Sequence, residues 1–224
     1  MLRMTLILAS LLTLAVVAGC GGGGDQKAAS GAPLPLWQRV LLGGDIQGFV
    51  PDPEPPALLD LQAFVDQAKD AFVRITPEEA VRELTADAFA GATITTQARA
   101  QVDHPIVASA AVQLGSEAQA ERLLEWAYAD SLSPCPNVCN VDIETFDVSG
   151  IPGAKGIRRS RTENASGAGD GGPFESFEIE FVDGPFLYDV LTLGAMPGEI
   201  QRDDVIAAAQ ALYERVKGSP PLAS

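Results

Sequence analysis

The chain has 224 residues, a net charge of −15 and an apolar content of 46%. That length allows one large domain or two small ones, and the apolar content excludes wholesale disorder. The acidic balance argues against nucleic acid, whose phosphates demand a basic surface, and against docking on anionic lipid heads through charge alone.

Residues 1–19 read as a secretory signal. Arg3 is a minimal basic start, and an apolar run over 6–18 is broken only by Ser10 and Thr13. Spanning a bilayer takes roughly 20 apolar residues, so this shorter run fits a signal-peptide core instead. Val17-Ala18-Gly19-Cys20 then resembles the lipobox of bacterial lipoproteins. The resemblance implies cleavage before Cys20 and a diacylglycerol on its thiol, with fatty acyl chains such as palmitate as the anchor. Two or more such chains hold a protein stably, whereas one holds it marginally. The glycines at 21–24 and the small residues up to Pro35 form a tether over 20–35. About 15 residues of this kind span roughly 20 Å.

A single domain is expected over 36–218, with a disordered tail over 219–224. The Pro-rich stretch at 51–56 excludes helix. Leu58, Leu61, Val65, Ala68 and Phe72 recur at helical spacing and predict an amphipathic helix over 57–72. Thr76-Pro77-Glu78-Glu79 is a capping box that opens a second helix, ending near residue 89. Thr- and Val-rich residues 91–103 predict a strand, and 106–114 a second with alternating faces. Ser116 to Gln119 repeats the capping pattern and starts a helix with Ala120, Leu123, Leu124 and Ala127 on one face. Strands follow over 142–148 and 157–163. Phe177, Ile179 and Phe181 then face one way, with Ser176, Glu178 and Glu180 facing the other. Asp183-Gly184 signals a hairpin into a strand over 186–193. A final helix over 203–217 carries Val205, Ile206, Ala209, Leu212, Tyr213 and Val216 on its core face. The element order is that of an α+β fold, an antiparallel sheet with helices packed on one side.

Several segments resemble actinobacterial envelope lipoproteins: the Asp45-Ile46-Gln47-Gly48-Phe49 start, the Cys135-Pro136 loop, Ile151-Pro152-Gly153-Ala154, and Asp183-Gly184-Pro185-Phe186. The strand–helix segment from Ala108 to Asp130 is, more distantly, similar to extracellular sensor domains of actinobacterial kinases. These motifs are structural turns. The resemblance implies an envelope address and no catalytic residues or cofactor.

The chemistry-bearing residues are few. Cys135 and Cys139 are the pair left once Cys20 is lipidated, and in an oxidising compartment such a pair points to a disulfide. No second ligand pair accompanies them to make a zinc site. His104 is the only histidine and lacks a nucleophile motif beside it. Residues 167–172 match a dinucleotide-binding glycine pattern, but Pro173 and an alternating strand follow where a helix is required. Lys155, Arg158, Arg159 and Arg161 gather basic charge on an acidic protein. They read as partners of Glu178 and Glu180 across a solvated sheet face, or as a patch for an anion or partner protein. Glu178 and Glu180 lie on one strand face and cannot flank a sugar as a glycosidase pair must. Trp37, Phe49, Trp126 and Tyr128 are core residues or the lining of an apolar pocket.

The expected function is a lipid-anchored extracytoplasmic protein with a non-enzymatic binding or sensing domain. Its partners would be the membrane, through Cys20, and an envelope protein, a lipid or a wall polymer. The alternative is a carrier of an apolar or lipid ligand. A cell-wall hydrolase or transferase is least supported.

Overall fold

A computed structural model describes residues 33–52, 55–69, 72–99, 105–133, 141–161 and 172–221. The elements in chain order are β1 (Phe49–Pro51), α1 (Leu61–Ala68), α2 (Pro77–Ala86), β2 (Gly91–Arg99), β3 (Ile106–Gln113), α3 (Glu117–Ser131), β4 (Asp142–Phe146), β5 (Lys155–Arg161), β6 (Phe174–Asp183), β7 (Phe186–Leu193) and α4 (Arg202–Val216). The seven strands form one sheet in the order β1-β2-β3-β7-β6-β5-β4, every neighbour antiparallel. The fold is α+β, as expected, with α1, α2 and α3 packed on one side of the sheet.

The same alternation fills the other side. Phe177, Ile179 and Phe181 of β6 meet Phe186, Tyr188 and Val190 of β7 in one cluster. This cluster is closed by α4, through Val205, Ala209 and Leu212, and by Val40, Leu41 and Ile46 of the leading segment. The strands at the centre are therefore covered on both faces. The hairpin joining β6 to β7 turns through Gly184 and Pro185, with Gly184 at φ +57°. Positive φ at the first central position belongs to the primed turns that match strand twist.

The helix ends follow their caps. Thr76 accepts from the Glu79 amide at 3.2 Å, and Glu79 accepts from the Thr76 amide at 2.9 Å, so the capping box closes as read. Ser116 accepts from the Gln119 amide, but the Gln119 side chain turns to the Ser116 hydroxyl rather than to its amide. The first helix is shorter than its periodicity suggested. Leu59 bridges to Ala92, and the Asp60 carboxylate caps Ala63, so helix starts only at Leu61. Leu58 lies outside it, 73% exposed.

Arg39 ties the leading segment at Leu34 and the segment after α4 to the sheet. It is fully buried and donates to the Tyr188 hydroxyl (2.8 Å) and to the carbonyls of Leu34, Ser219 and Pro220. Its guanidinium lies 3.8 Å from the Phe186 ring centre. Ser219 and Pro220, expected in a free tail, are thus held. Burial pushes the Tyr188 phenol well up, against the opposing pull of Arg39, so the hydroxyl stays neutral and accepts. Arg39→Ala leaves these oxygens without a donor and is expected to cost about 3 kcal/mol, measured by urea unfolding. A loss below about 0.5 kcal/mol would contradict this role, since that is the ordinary scale of a neutral surface change.

Candidate functional site

The face of the sheet beneath the helices can be read as rows of cross-strand partners. Ala92, Val112, Leu187 and Val182 form an apolar row. The next row is Ile94, Ala110, Asp189, Glu180 and Lys155, and the one after is Thr96, Ala108, Leu191, Glu178 and Ile157. In both of these rows β3 contributes only an alanine. Two methyl groups cannot reach a helix layer that Phe64, Leu84 and Leu123 hold above them. The space left is a cavity of about 470 Å³ between the sheet and α1–α3.

Its walls are mainly apolar, with Phe72, Leu84, Trp126, Leu187 and Leu191 among them. At Gln67, Thr96 and Leu193 the lining residues are exposed, so the cavity reaches solvent there. One part of its lining is strongly polar: Asp130 and Ser131 from α3, Glu178 and Glu180 from β6, and Asp189 from β7.

Two of these four carboxyls are committed to structure. Asp130 accepts from the amides of Val73 (2.7 Å), Arg74 (2.8 Å) and Ile75 (3.2 Å), which fixes the α1–α2 connection against α3. Glu178 pairs with Arg159 at 2.8 Å and accepts from the Ser131 hydroxyl at 3.1 Å. Arg159 also donates twice to the Ser131 carbonyl. The other two carboxyls are not committed. Glu180 is 4% exposed, and its Oε2 has no hydrogen-bond partner among the described residues. Asp189 is half-buried, but its Oδ1 is enclosed and likewise lacks a hydrogen-bond partner among the described residues. Glu180 and Asp189 are direct cross-strand partners.

Burial pushes the Glu180 carboxyl far above the usual range, and the neighbouring Glu178, Asp189 and Asp130 push it further, with Arg159 opposing. Burial does the same to Asp189, with Glu178 adding and Arg159 opposing. Both groups therefore favour the neutral form well beyond ordinary carboxylate pH.

The four basic residues singled out in the sequence are distributed over internal partners. Lys155 stands opposite Glu180 in register but reaches Glu125 of α3 at 3.0 Å, over the Tyr128 ring. Arg158 lies on the opposite face and pairs with Glu144 and Glu175. Arg159 joins the cavity cluster, and Arg161 donates to the Gly172 carbonyl. The expectation of a solvated sheet face is corrected: Glu178 and Glu180 are buried, because α3 covers that face. Of the four aromatic candidates, Trp126 lines the cavity. Phe49 is buried in the cluster on the opposite face, and Trp37 is 50% exposed. The signal that sequence reading missed was the pair Ala108 and Ala110, alternate positions on one face of a strand whose middle carries only small residues.

Cys20, His104 and residues 167–171 lie outside the described residues. After Gly172 the chain enters β6, so a strand stands where a dinucleotide site needs a helix. The disulfide expected between Cys135 and Cys139 is withdrawn: no disulfide is present among the described residues. Both residues lie outside the described residues. The expectation rested on cysteine parity, and closing so small a loop removes little unfolded-state entropy. Among the described residues no cluster of His, Cys, Asp and Glu is arranged to hold a metal, and no helix is long and apolar enough to cross a membrane.

No protein-family model matches the chain, and no curated protein matches it. Among solved structures, the extracellular domain of PknH from Mycobacterium tuberculosis is distantly similar, at 13% identity and a TM-score of 0.47. The match covers 82% of this chain and 97% of that one.

The raised carboxyls make stability depend on pH. Glu180 and Asp189 hold protons in the folded state that the unfolded chain has released. Their contribution is full below the unfolded carboxylate range, about pH 4, and is lost as pH rises through the raised folded values. Glu180→Gln is therefore expected to raise the melting temperature near pH 8 and to change it little near pH 4. Equal shifts at both pH values would show that Glu180 is not held neutral.

Proposed function

We propose that this chain is a lipid-anchored extracytoplasmic binding protein whose domain takes a small, mainly apolar ligand into the cavity beneath α1–α3. The observation that carries this reading is the cavity itself. Its volume of about 470 Å³ falls in the range of small-molecule sites. Its lining joins a broad apolar wall to a few convergent polar groups, the usual division between affinity and orientation. The reading is non-enzymatic: the Ser131 hydroxyl in the cavity donates to Glu178, whose carboxylate Arg159 holds, and no histidine or cysteine is among the described lining residues.

This favours the carrier form of the function over docking through the basic strand. Lys155, Arg158 and Arg159 are each ion-paired with an acid of this same chain, and a partner's anion would have to compete with those pairs. An envelope component recognised by the domain would instead be recognised in the cavity. The anchor belongs to the same reading. The lipobox ending in Cys20 supports attachment to a membrane, and the glycine-rich tether supports a domain that can turn its cavity toward the bilayer or away from it.

Native mass spectrometry of the protein gently extracted from its own envelope tests the cavity. The wild-type chain is expected to carry extra mass, beyond lipid on Cys20, that leaves on denaturation. Ala110→Leu fills the floor of the cavity and is expected to remove that mass without lowering the melting temperature. A wild-type mass accounted for by the lipidated chain, together with no uptake of decanol up to its solubility, would refute the reading. For the anchor, Cys20→Ser is expected to move the protein from the membrane pellet to the aqueous fraction. Retention in the pellet would refute lipid attachment at Cys20.

A further inference from the structure

The polar end of the cavity holds more carboxyls than cations. Four carboxyls, Asp130, Glu178, Glu180 and Asp189, face one guanidinium, Arg159. They come from every element packed around that end: α3, β6, β7 and β5. Lys155, the nearest further cation by register, is drawn away to Glu125. Asp130 spends its oxygens on three backbone amides, and Glu178 spends its own on Arg159 and Ser131. Glu180 and Asp189 remain, side by side across β6 and β7, each with an oxygen that lacks a partner among the described residues.

Buried polar atoms in folded proteins nearly always have partners, and an exception asks what it is for. Both of these atoms line the same cavity, as do Ser109 Oγ and Glu178 Oε2, the latter held by the Arg159 ion pair. The rest of the lining is apolar, so an occupant must be apolar over most of its length. Its head must supply what the pair lacks: hydrogen-bond donors and positive charge. A hydroxyl supplies a donor but no charge, and so leaves the pair protonated. An ammonium supplies up to three donors and the charge.

We infer that the cavity selects amphiphiles with a cationic head, an aliphatic body lying against Trp126, Leu187 and Leu191 and a protonated amine seated between Glu180 and Asp189. This rests on the cavity being a ligand site and adds the chemistry of what it admits. The net charge of −15 assists by drawing cations toward the protein. Binding is coupled to protons. The Glu180–Asp189 pair holds protons when the cavity is empty, and the incoming ammonium displaces one to solvent as a carboxylate forms beside it.

The test compares decylamine, decanol and decanoate on the purified full chain by titration calorimetry, in moderate salt and in two buffers of different ionisation enthalpy. Decylamine is expected to bind about tenfold or more tighter than decanol, as a charged hydrogen bond in a buried site allows, and decanoate weakest. Only decylamine is expected to release a proton. The Glu180→Gln/Asp189→Asn double variant keeps the volume of both side chains and nearly all the surface charge. It is expected to bind decanol as the wild type does while losing the amine preference and the proton release.

Decanol and decylamine binding equally well to the wild type would overturn the selectivity and leave the cavity reading intact. Failure of all three to bind would overturn both. An amine preference that persists in the double variant would place it on the acidic surface rather than at this pair, and would overturn the inference. Because the substitutions remove buried acids from a crowded site, the variant is expected to fold. Its decanol binding checks that it has done so.

Discussion

Strands β6 and β7 are buried on both faces, and the two faces are chemically opposite. One set of alternate residues is aromatic and aliphatic and closes against α4 and the leading segment. The other set includes Glu178, Glu180 and Asp189 and lies beneath α3. Because side chains alternate strictly, a slip of one residue would exchange the faces entirely. Such a slip would put three acids into a closed aromatic core, so the register is firmly set. Burial of the acids on the helix side therefore follows from burial of Phe177, Ile179 and Phe181 on the other. The sheet keeps a costly polar cluster in place because the opposite face will not release it.

The molecule treats its buried charges in two ways. Arg39 is fully enclosed, yet its donors meet the Tyr188 hydroxyl and three carbonyls, and its plane meets the Phe186 ring. Neutral oxygens satisfy it without a carboxylate, and its surroundings are packed shut. The acid cluster is the reverse. It adjoins empty space, its acids outnumber the cation beside them, and Glu180 and Asp189 each have an oxygen without a partner among the described residues. A charge that is fully satisfied in a closed core serves the fold. A group left unsatisfied at the wall of a cavity lowers stability and is explained by something that enters the cavity.

The sequence made the elements legible and the cover of the sheet illegible. The Thr76 capping box, the alternation of β6 and the apolar stripe of α4 each depend on residues within one segment, and each appeared in place. Glu178 and Glu180 were read as facing water because a Ser-Glu-Glu face on a single strand looks like a solvated one. That α3 lies over this face is a tertiary fact, and no period within β6 carries it. Arg159 and Glu178 were correctly placed on one sheet face, and the ion pair between them exists, but in a buried setting rather than a screened one. For α1, helical spacing extended back to Leu58, and the bridge from Leu59 to Ala92 overrode it. The cavity left one trace, Ala108 and Ala110 on the helix-facing side of β3. Alanine in a strand is unremarkable until its neighbours in the sheet and the helices above are known.

The division among the acids also separates rigid from assembled parts of the site. Asp130 belongs to the cover: its carboxylate holds residues 73–75, and through them the helices that roof the cavity. Glu178 joins sheet to cover through Ser131. Glu180 and Asp189 sit at the middle of the sheet, on adjacent strands hydrogen-bonded on both sides. Their backbones are thus fixed by the ladder, and their separation does not depend on the position of any helix. Recognition groups placed on rigid strands hold their geometry better than groups placed on loops. Variation in the helix layer would change the size and shape of the apolar body that fits, while the polar pair would remain where it is. The acids that hold the roof and the acids that face the occupant are different residues, so each can be satisfied without drawing on the other.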